Sequence, residues 1–176
     1  MSDTATASQK PASPISDPAE LLAALRESRL AAELTEEQAR TLASRFVFRD
    51  LAPGDVLVPQ GASDNHLYVV VKGALSVTRS AGPGETLVLF TLGARDLVGE
   101  LSFIDATPHF AALVAAAPTR VLALEREKLE SLLRSDPEIV YRVMRAIVRT
   151  VHEIQRRLSM QTVELTNYIR KEHGRY

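Results

Sequence analysis

From Phe46 to Leu124 the chain alternates short apolar runs with turn residues: FVFRDL (46–51), Pro53-Gly54, VLV (56–58), Gly61, LYVVVKGALSV (67–77), Gly82-Pro83-Gly84 and TLVLFTL (86–92). Runs of this length, spaced by about 8–12 residues and punctuated by Gly and Pro, read as short strands of an antiparallel sandwich or barrel. The architecture is β rather than βαβ.

On the C-terminal side of this block, Arg126 to Arg134 reads as a short helical turn, and Asp136-Pro137 opens a long helix, because Asp caps and Pro is tolerated in the first turn. That helix carries a seven-residue repeat, with Met144, Val151, Leu158 and Leu165 at one position and Ile147, Ile154, Gln161 and Tyr168 at the other. Steps of three and four make one narrow stripe, and a helix of about 50 Å is longer than one small barrel can cover. The stripe is therefore expected to pack in parallel against the same helix of a second subunit, with Gln161 setting register. Covering the chain's own barrel is the plainer alternative.

On the N-terminal side, Leu21, Leu22, Leu25, Leu34 and Leu42 lie at helical spacing, so two short helices are expected between Asp17 and Arg45. Thr35-Glu36-Glu37-Gln38 has the form of a capping box and places a helix start near Thr35. Met1 to Ser16 is built mainly of Ser, Thr, Ala and Pro and reads as a disordered tail. The domain plan is thus tail 1–16, β-roll with flanking helices 17–135, and long helix 136–172.

The 176 residues suit one domain, and 45% hydrophobic with 24% charged residues is ordinary for a soluble globular chain. A balance of 21 Lys+Arg against 22 Asp+Glu gives no overall preference for nucleic acid or an anionic membrane. Without cysteine there are no disulfides, thiolate nucleophiles or Cys-ligated metals. No secretory signal or membrane-length apolar run is present, which points to a cytoplasmic protein. His66, His152 and His173 form no i,i+4 pair, so no metal site is legible, and phosphate loops and nucleophile elbows are absent. Enzyme activity has no support. Between Tyr141 and Tyr176, Arg142, Arg145, Arg149, Arg156, Arg157, Arg170, Lys171 and Arg175 stand against Glu153, Glu164 and Glu172. That surplus reads as a solvated helical face, with weak nucleic-acid contact as the alternative.

The order helix, β-roll, short helix, long helix, together with Pro53-Gly54-Asp55-Val56-Leu57, Gly61, Leu67–Gly73 and Gly99-Glu100-Leu101-Ser102 followed by Pro108 and Ala111, resembles the cyclic-nucleotide-binding domain of catabolite-activator regulators and kinase regulatory subunits. The resemblance spans about Asp17 to Leu165 and implies an α+β fold: a double-stranded antiparallel, jelly-roll-like β-roll flanked by N-terminal helices and a long C-terminal dimerisation helix. Val98–Leu113 is similar to the family's phosphate-binding cassette. The resemblance implies helix amides facing a cyclic phosphate and a Glu, here Glu100, accepting from the ribose hydroxyl. Gly99, Glu100 and Leu101 match, and Ser102 is a conservative replacement.

The cassette's second half departs from the pattern. Where the family has Pro-Arg-Ala-Ala-Thr or Ser, this chain reads Pro108-His109-Phe110-Ala111-Ala112, so His109 replaces the phosphate-pairing Arg and Ala112 the hydroxyl. Arg stays charged and offers a two-pronged donor, whereas His is mostly neutral at pH 7. Losing both contacts lowers affinity by about 100- to 1,000-fold. Arg95, at a turn position usually held by Gly, is a candidate substitute cation, and Gln155 a candidate contact to the base. Glu100 is either the ligand carboxylate or a helix-capping acid. His109 is an ordinary loop histidine, a phosphate partner or a pH sensor, and Phe110 is able to fill the phosphate space.

The reading that follows is a non-enzymatic sensor, binding cAMP or cGMP weakly or an altered ligand, with a hinge near Arg134-Ser135. Its rival is a ligand-independent dimerisation module acting on a protein partner. A DNA-associated regulator comes third, since the chain ends about ten residues beyond the heptad stripe, with no helix-turn-helix after it.

Overall fold

The computed structural model describes residues 16–82 and 84–173, and their side chains except at 157, 158 and 161–173. Helix α1 (Pro18–Arg26) is capped by Asp17, whose carboxylate accepts from the Ala19 amide at 2.9 Å. A 3-10 turn (Arg29–Glu33) leads to α2 (Glu36–Ala43). The capping box is formed: Thr35 Oγ1 accepts from the Gln38 amide, and Gln38 Oε1 accepts from the Thr35 amide.

Eight strands follow: β1 (Phe46–Leu51), β2 (Val56–Val58), β3 (His66–Lys72), β4 (Leu75–Gly82), β5 (Glu85–Leu92), β6 (Leu97–Val98), β7 (Ala112–Ala115) and β8 (Thr119–Glu125). They pair antiparallel in two four-stranded sheets, ordered β1-β8-β3-β6 and β2-β7-β4-β5. Helix α3 (Glu100–Asp105) interrupts the strands. Helix α4 (Arg126–Glu130), a 3-10 turn (Ser131–Leu133) and α5 (Pro137–His173) close the chain. This is the α+β, β-roll architecture expected.

Strand β3 reads LYVVV without polar alternation because both of its faces are covered. Leu67 and Val69 enter a core shared with α1, α2 and α5, while Tyr68 and Val70 enter the space between the sheets. Side chains alternate faces along a strand, so one continuous apolar run serves two cores. Strand β8 does the same with Leu122 and Leu124 on one face and Val121 and Ala123 on the other. At the tight connection after β3, Gly73 has φ +85°, and a Cβ there would meet the Pro118 carbonyl at 2.4 Å.

Two expectations change. Ile147, assigned to an intersubunit stripe, is fully buried in the chain's own core beside Ile139 and Val143. The first turns of α5 are bound to the 29–33 turn, where Glu33 pairs with Arg149 and accepts from Arg142 through its carbonyl, and Arg29 pairs with Glu153. Helical spacing marks an apolar face but not the surface it meets. Met144 is half-buried against the same core, Val151 and Ile154 are half-buried, and the side chains of Leu158, Gln161, Leu165 and Tyr168 lie outside the described residues. The second change is Ser16, which belongs to the folded part: its Oγ accepts from the Phe48 amide at 3.3 Å. The rest of the expected tail, 1–15, is outside the described residues.

Candidate functional site

The strand-to-helix step from β6 to α3 depends on Gly99. Its φ of +86° lies in the left-handed region, and a Cβ there would stand 2.9 Å from the His66 carbonyl and 3.8 Å from His109 Cε1. Only glycine lets the chain turn here against strand β3. The turn opens a pocket of about 230 Å³. One side is formed by Gly99, Glu100, Leu101 and Ser102, and another by Thr107 to Ala111. The β-roll contributes Val77, Phe90, Leu92, Leu97, Val98 and Leu113, and α5 contributes Ile154.

Seven of the residues expected at a ligand site are therefore brought together: Gly99, Glu100, Leu101, Ser102, His109, Phe110 and Ala111. Ala112 is the first residue of β7 and is not in the pocket walls. Arg95 stands apart, exposed, with its guanidinium 2.6 Å from Glu27 Oε2, so it is not the substitute cation in this arrangement. Gln155 is exposed and absent from the walls, although its neighbour Ile154 is one of them. Phe110 lines the mouth with 58% of its surface open to solvent and does not plug the pocket. The β-roll walls were missed by sequence reasoning. The signal was the alternation of Leu75 and Val77 with Ser76 and Thr78 at the start of β4, which says that a residue is covered but not that a cavity lies over it.

Each polar wall has its own electrostatic state. Burial raises the Glu100 carboxyl above the usual glutamate range, with a weaker opposing effect from its own backbone amide. Burial also lowers the His109 imidazole below its usual range, against a weaker pull upward from Asp64. His109 Nε2 is enclosed and has no hydrogen-bond partner. Ser102 is turned away from ligand duty: its buried hydroxyl donates to the Asp64 carbonyl at 2.7 Å and accepts from the Asp64 amide at 3.0 Å. Arg126 secures the other end of α3 by donating to the carbonyls of Ser102 and Phe103 at 2.7 and 2.6 Å.

Behind the pocket lies a network that the sequence did not announce. Asp64 accepts from Tyr68 Oη at 2.6 Å and pairs with His66 Nδ1 at 2.8 Å. Arg49 reaches Tyr68 Oη at 3.2 Å and His66 Nε2 at 3.1 Å. Arg49 only donates, so His66 Nε2 accepts, which places the imidazole proton on Nδ1 toward Asp64. Burial alone would raise the Asp64 carboxyl, but the bonds from His66 and Tyr68 and the charge of Arg49 outweigh it and hold the group below its usual range. This network fixes the loop that receives Ser102, and so positions α3.

Among the described residues there is no group of three His, Cys, Asp or Glu able to hold a metal, and no helix long and apolar enough to cross a membrane. Of the basic residues counted on α5, Arg142, Arg145 and Arg149 are engaged with Glu33 or Glu138.

Comparison with known proteins agrees with this geometry. The chain is 26% identical over 110 residues to the CRP-like cAMP-activated global transcriptional regulator of Mycobacterium tuberculosis, an alignment covering 62% of this chain and 49% of that protein. The chain thus spans about half the length of that relative. It superposes on the N-terminal domain of a transcriptional regulator from Streptomyces coelicolor A3(2) with a TM-score of 0.65 and 31% identity, over 77% of this chain and 94% of that one. A cyclic nucleotide-binding domain from Methylobacillus flagellatus KT shares the fold, with a TM-score of 0.73 at 22% identity over 84% and 83% of the two chains. The cyclic nucleotide-binding domain model matches residues 48–136, from β1 through the cassette to the start of the long helix, and the chain belongs to that family.

Proposed function

We propose that this chain is a non-enzymatic sensor module in which a small ligand held by the cassette changes the placement of α5. The observation that carries this reading is Ile154. A residue of the long helix forms one wall of the same pocket as Glu100 and His109, so any occupant touches the cassette and the helix together. Such a ligand shifts the helix only by binding one arrangement better than the other, and the hinge is assigned to Arg134-Ser135, before α5. The cassette is degenerate toward cyclic nucleotides: His109 and Ala112 stand where the family has its phosphate-pairing Arg and hydroxyl. cAMP and cGMP are accordingly weak ligands, bound about 100- to 1,000-fold less tightly than by an intact cassette.

Calorimetric titration with cAMP and cGMP of the parent and of the His109→Arg, Ala112→Thr double variant tests this. Weak or undetectable binding by the parent, with binding gained in the variant, supports a degenerate nucleotide pocket. Tight binding by the parent refutes degeneracy, and no binding by either refutes a nucleotide-shaped pocket.

A second reading, a ligand-independent homodimer or protein-docking module working in the cytoplasm, is favoured by one observation. Tyr141 and Val148 are 60% and 50% exposed on α5 and, with half-buried Met144 between them, follow a step of three then four. That stripe, displaced from the Ile147 face, is the seam available to a second helix. DNA association rests on the basic surplus other than Arg142, Arg145 and Arg149, and its test is a mobility assay across rising salt.

A further inference from the structure

The composition of the pocket walls narrows what the pocket accepts. A buried anion requires a fixed positive partner, yet among the described residues no Lys or Arg lines the cavity, and Arg95 is drawn off to Glu27. The charged group that does line it, Glu100, has the wrong sign for a phosphate and itself resists ionisation because it is buried. Val77, Leu92, Leu97, Val98, Leu113 and Ile154 supply apolar surface on several sides. Against this surface, among the described side chains, stands one buried polar atom without a partner, the enclosed Nε2 of His109. Buried polar atoms in folded proteins nearly always have a partner, and this one belongs to a residue of the pocket wall.

We infer that the pocket's ligand is an uncharged, largely apolar ring molecule carrying one hydroxyl, with the ring between the β-roll and Ile154 and the hydroxyl on His109 Nε2. A hydroxyl both donates and accepts, so it satisfies that nitrogen in either tautomer. This inference rests on the sensor reading for the location of the ligand, but it names a ligand class of its own.

The test uses four probes with the full-length chain in equilibrium dialysis: 1-naphthol, naphthalene, 1-naphthoate and cAMP. The first three share a ring system and differ only in the polar group. 1-Naphthol is expected to bind about five-fold tighter than naphthalene, the value of one net hydrogen bond, and at least about ten-fold tighter than the naphthoate anion, which must leave water unpaired. In His109→Ala the naphthol preference over naphthalene is expected to disappear, while naphthalene still binds. The parent's own selectivity stands if that variant fails to fold. Naphthoate or cAMP binding as tightly as naphthol overturns the inference, as does a naphthol preference that survives in a folded His109→Ala. If cAMP binds and the neutral probes do not, the inference fails while the nucleotide-sensor reading stands. If no probe binds at millimolar concentration, the inference fails, and the nucleotide reading is decided by the His109→Arg, Ala112→Thr double variant.

Discussion

Replacing Ser102 by Ala separates a structural hydroxyl from a ligand-binding one. The Ser102 side chain is 2% exposed, and its hydroxyl is committed in both directions to one residue: it donates to the Asp64 carbonyl at 2.7 Å and accepts from the Asp64 amide at 3.0 Å. Ser102→Ala deletes both bonds and leaves two backbone groups without partners beneath α3. Each partly buried orphan costs about 1 kcal/mol or slightly more, so the variant should lose about 2–3 kcal/mol without any ligand present. For a chain of this size that corresponds to a fall in Tm of about 5–10 °C. Thermal and urea unfolding followed by far-UV circular dichroism measure it, with an unchanged urea slope showing that the states compared are the same. Ser63→Ala is the control, because that exposed hydroxyl makes one long bond of 3.3 Å to Ala106, and it should cost less than about 0.5 kcal/mol. A loss from Ser102→Ala no larger than the control's would refute the reasoning and return Ser102 to the ligand side of the pocket.

Three further outcomes follow from the same geometry. Gly99→Ala forces a side chain into a left-handed backbone, with its Cβ 2.9 Å from the His66 carbonyl, and should destabilise by about 2 kcal/mol or more in the same unfolding assays. Because burial raises the Glu100 carboxyl in the folded state, the native chain binds that proton more tightly than the unfolded one, and ionisation weakens the fold as pH rises. Glu100→Gln should therefore raise urea stability at pH 7–8, and the gain should shrink to nothing as pH falls below the ordinary glutamate value of 4.5. Asp64 has the opposite sign, since its carboxyl is held below the ordinary 3.8. Asp64→Asn should be destabilising at pH 7, and chevron or equilibrium unfolding should show the deficit closing as pH falls below that value.

How much of this was legible beforehand depended on the distance over which each feature is decided. The Thr35–Gln38 box could be read because its bonds close within three residues. The turn at Gly99 could be read because a positive φ has a residue-level signature. The strands of the roll could be read because Gly and Pro break them at regular intervals, and the order of elements carried the family resemblance. The Asp64 network could not be read. It joins Arg49, His66 and Tyr68 through the pairing of β1 and β3 with β8, and none of these residues is unusual for its strand. Arg95 is held by Glu27, sixty-eight positions away, a partner that no local pattern marks.

The amino-acid order by itself determined which segments are helix and strand, which faces are apolar, and that a Gly-Glu step lies between them. Periodicity of 3.6 or 2 is a property of each segment alone. Tertiary structure alone decided what those faces meet. Ile147 turned to the chain's own core and left Tyr141 and Val148 outside, Ile154 became a wall of the pocket, and His109 Nε2 was enclosed without a partner. The physical reason is that hydrophobic burial is non-directional: an apolar stripe gains from any dry surface, and only the packing of distant elements selects which one it receives.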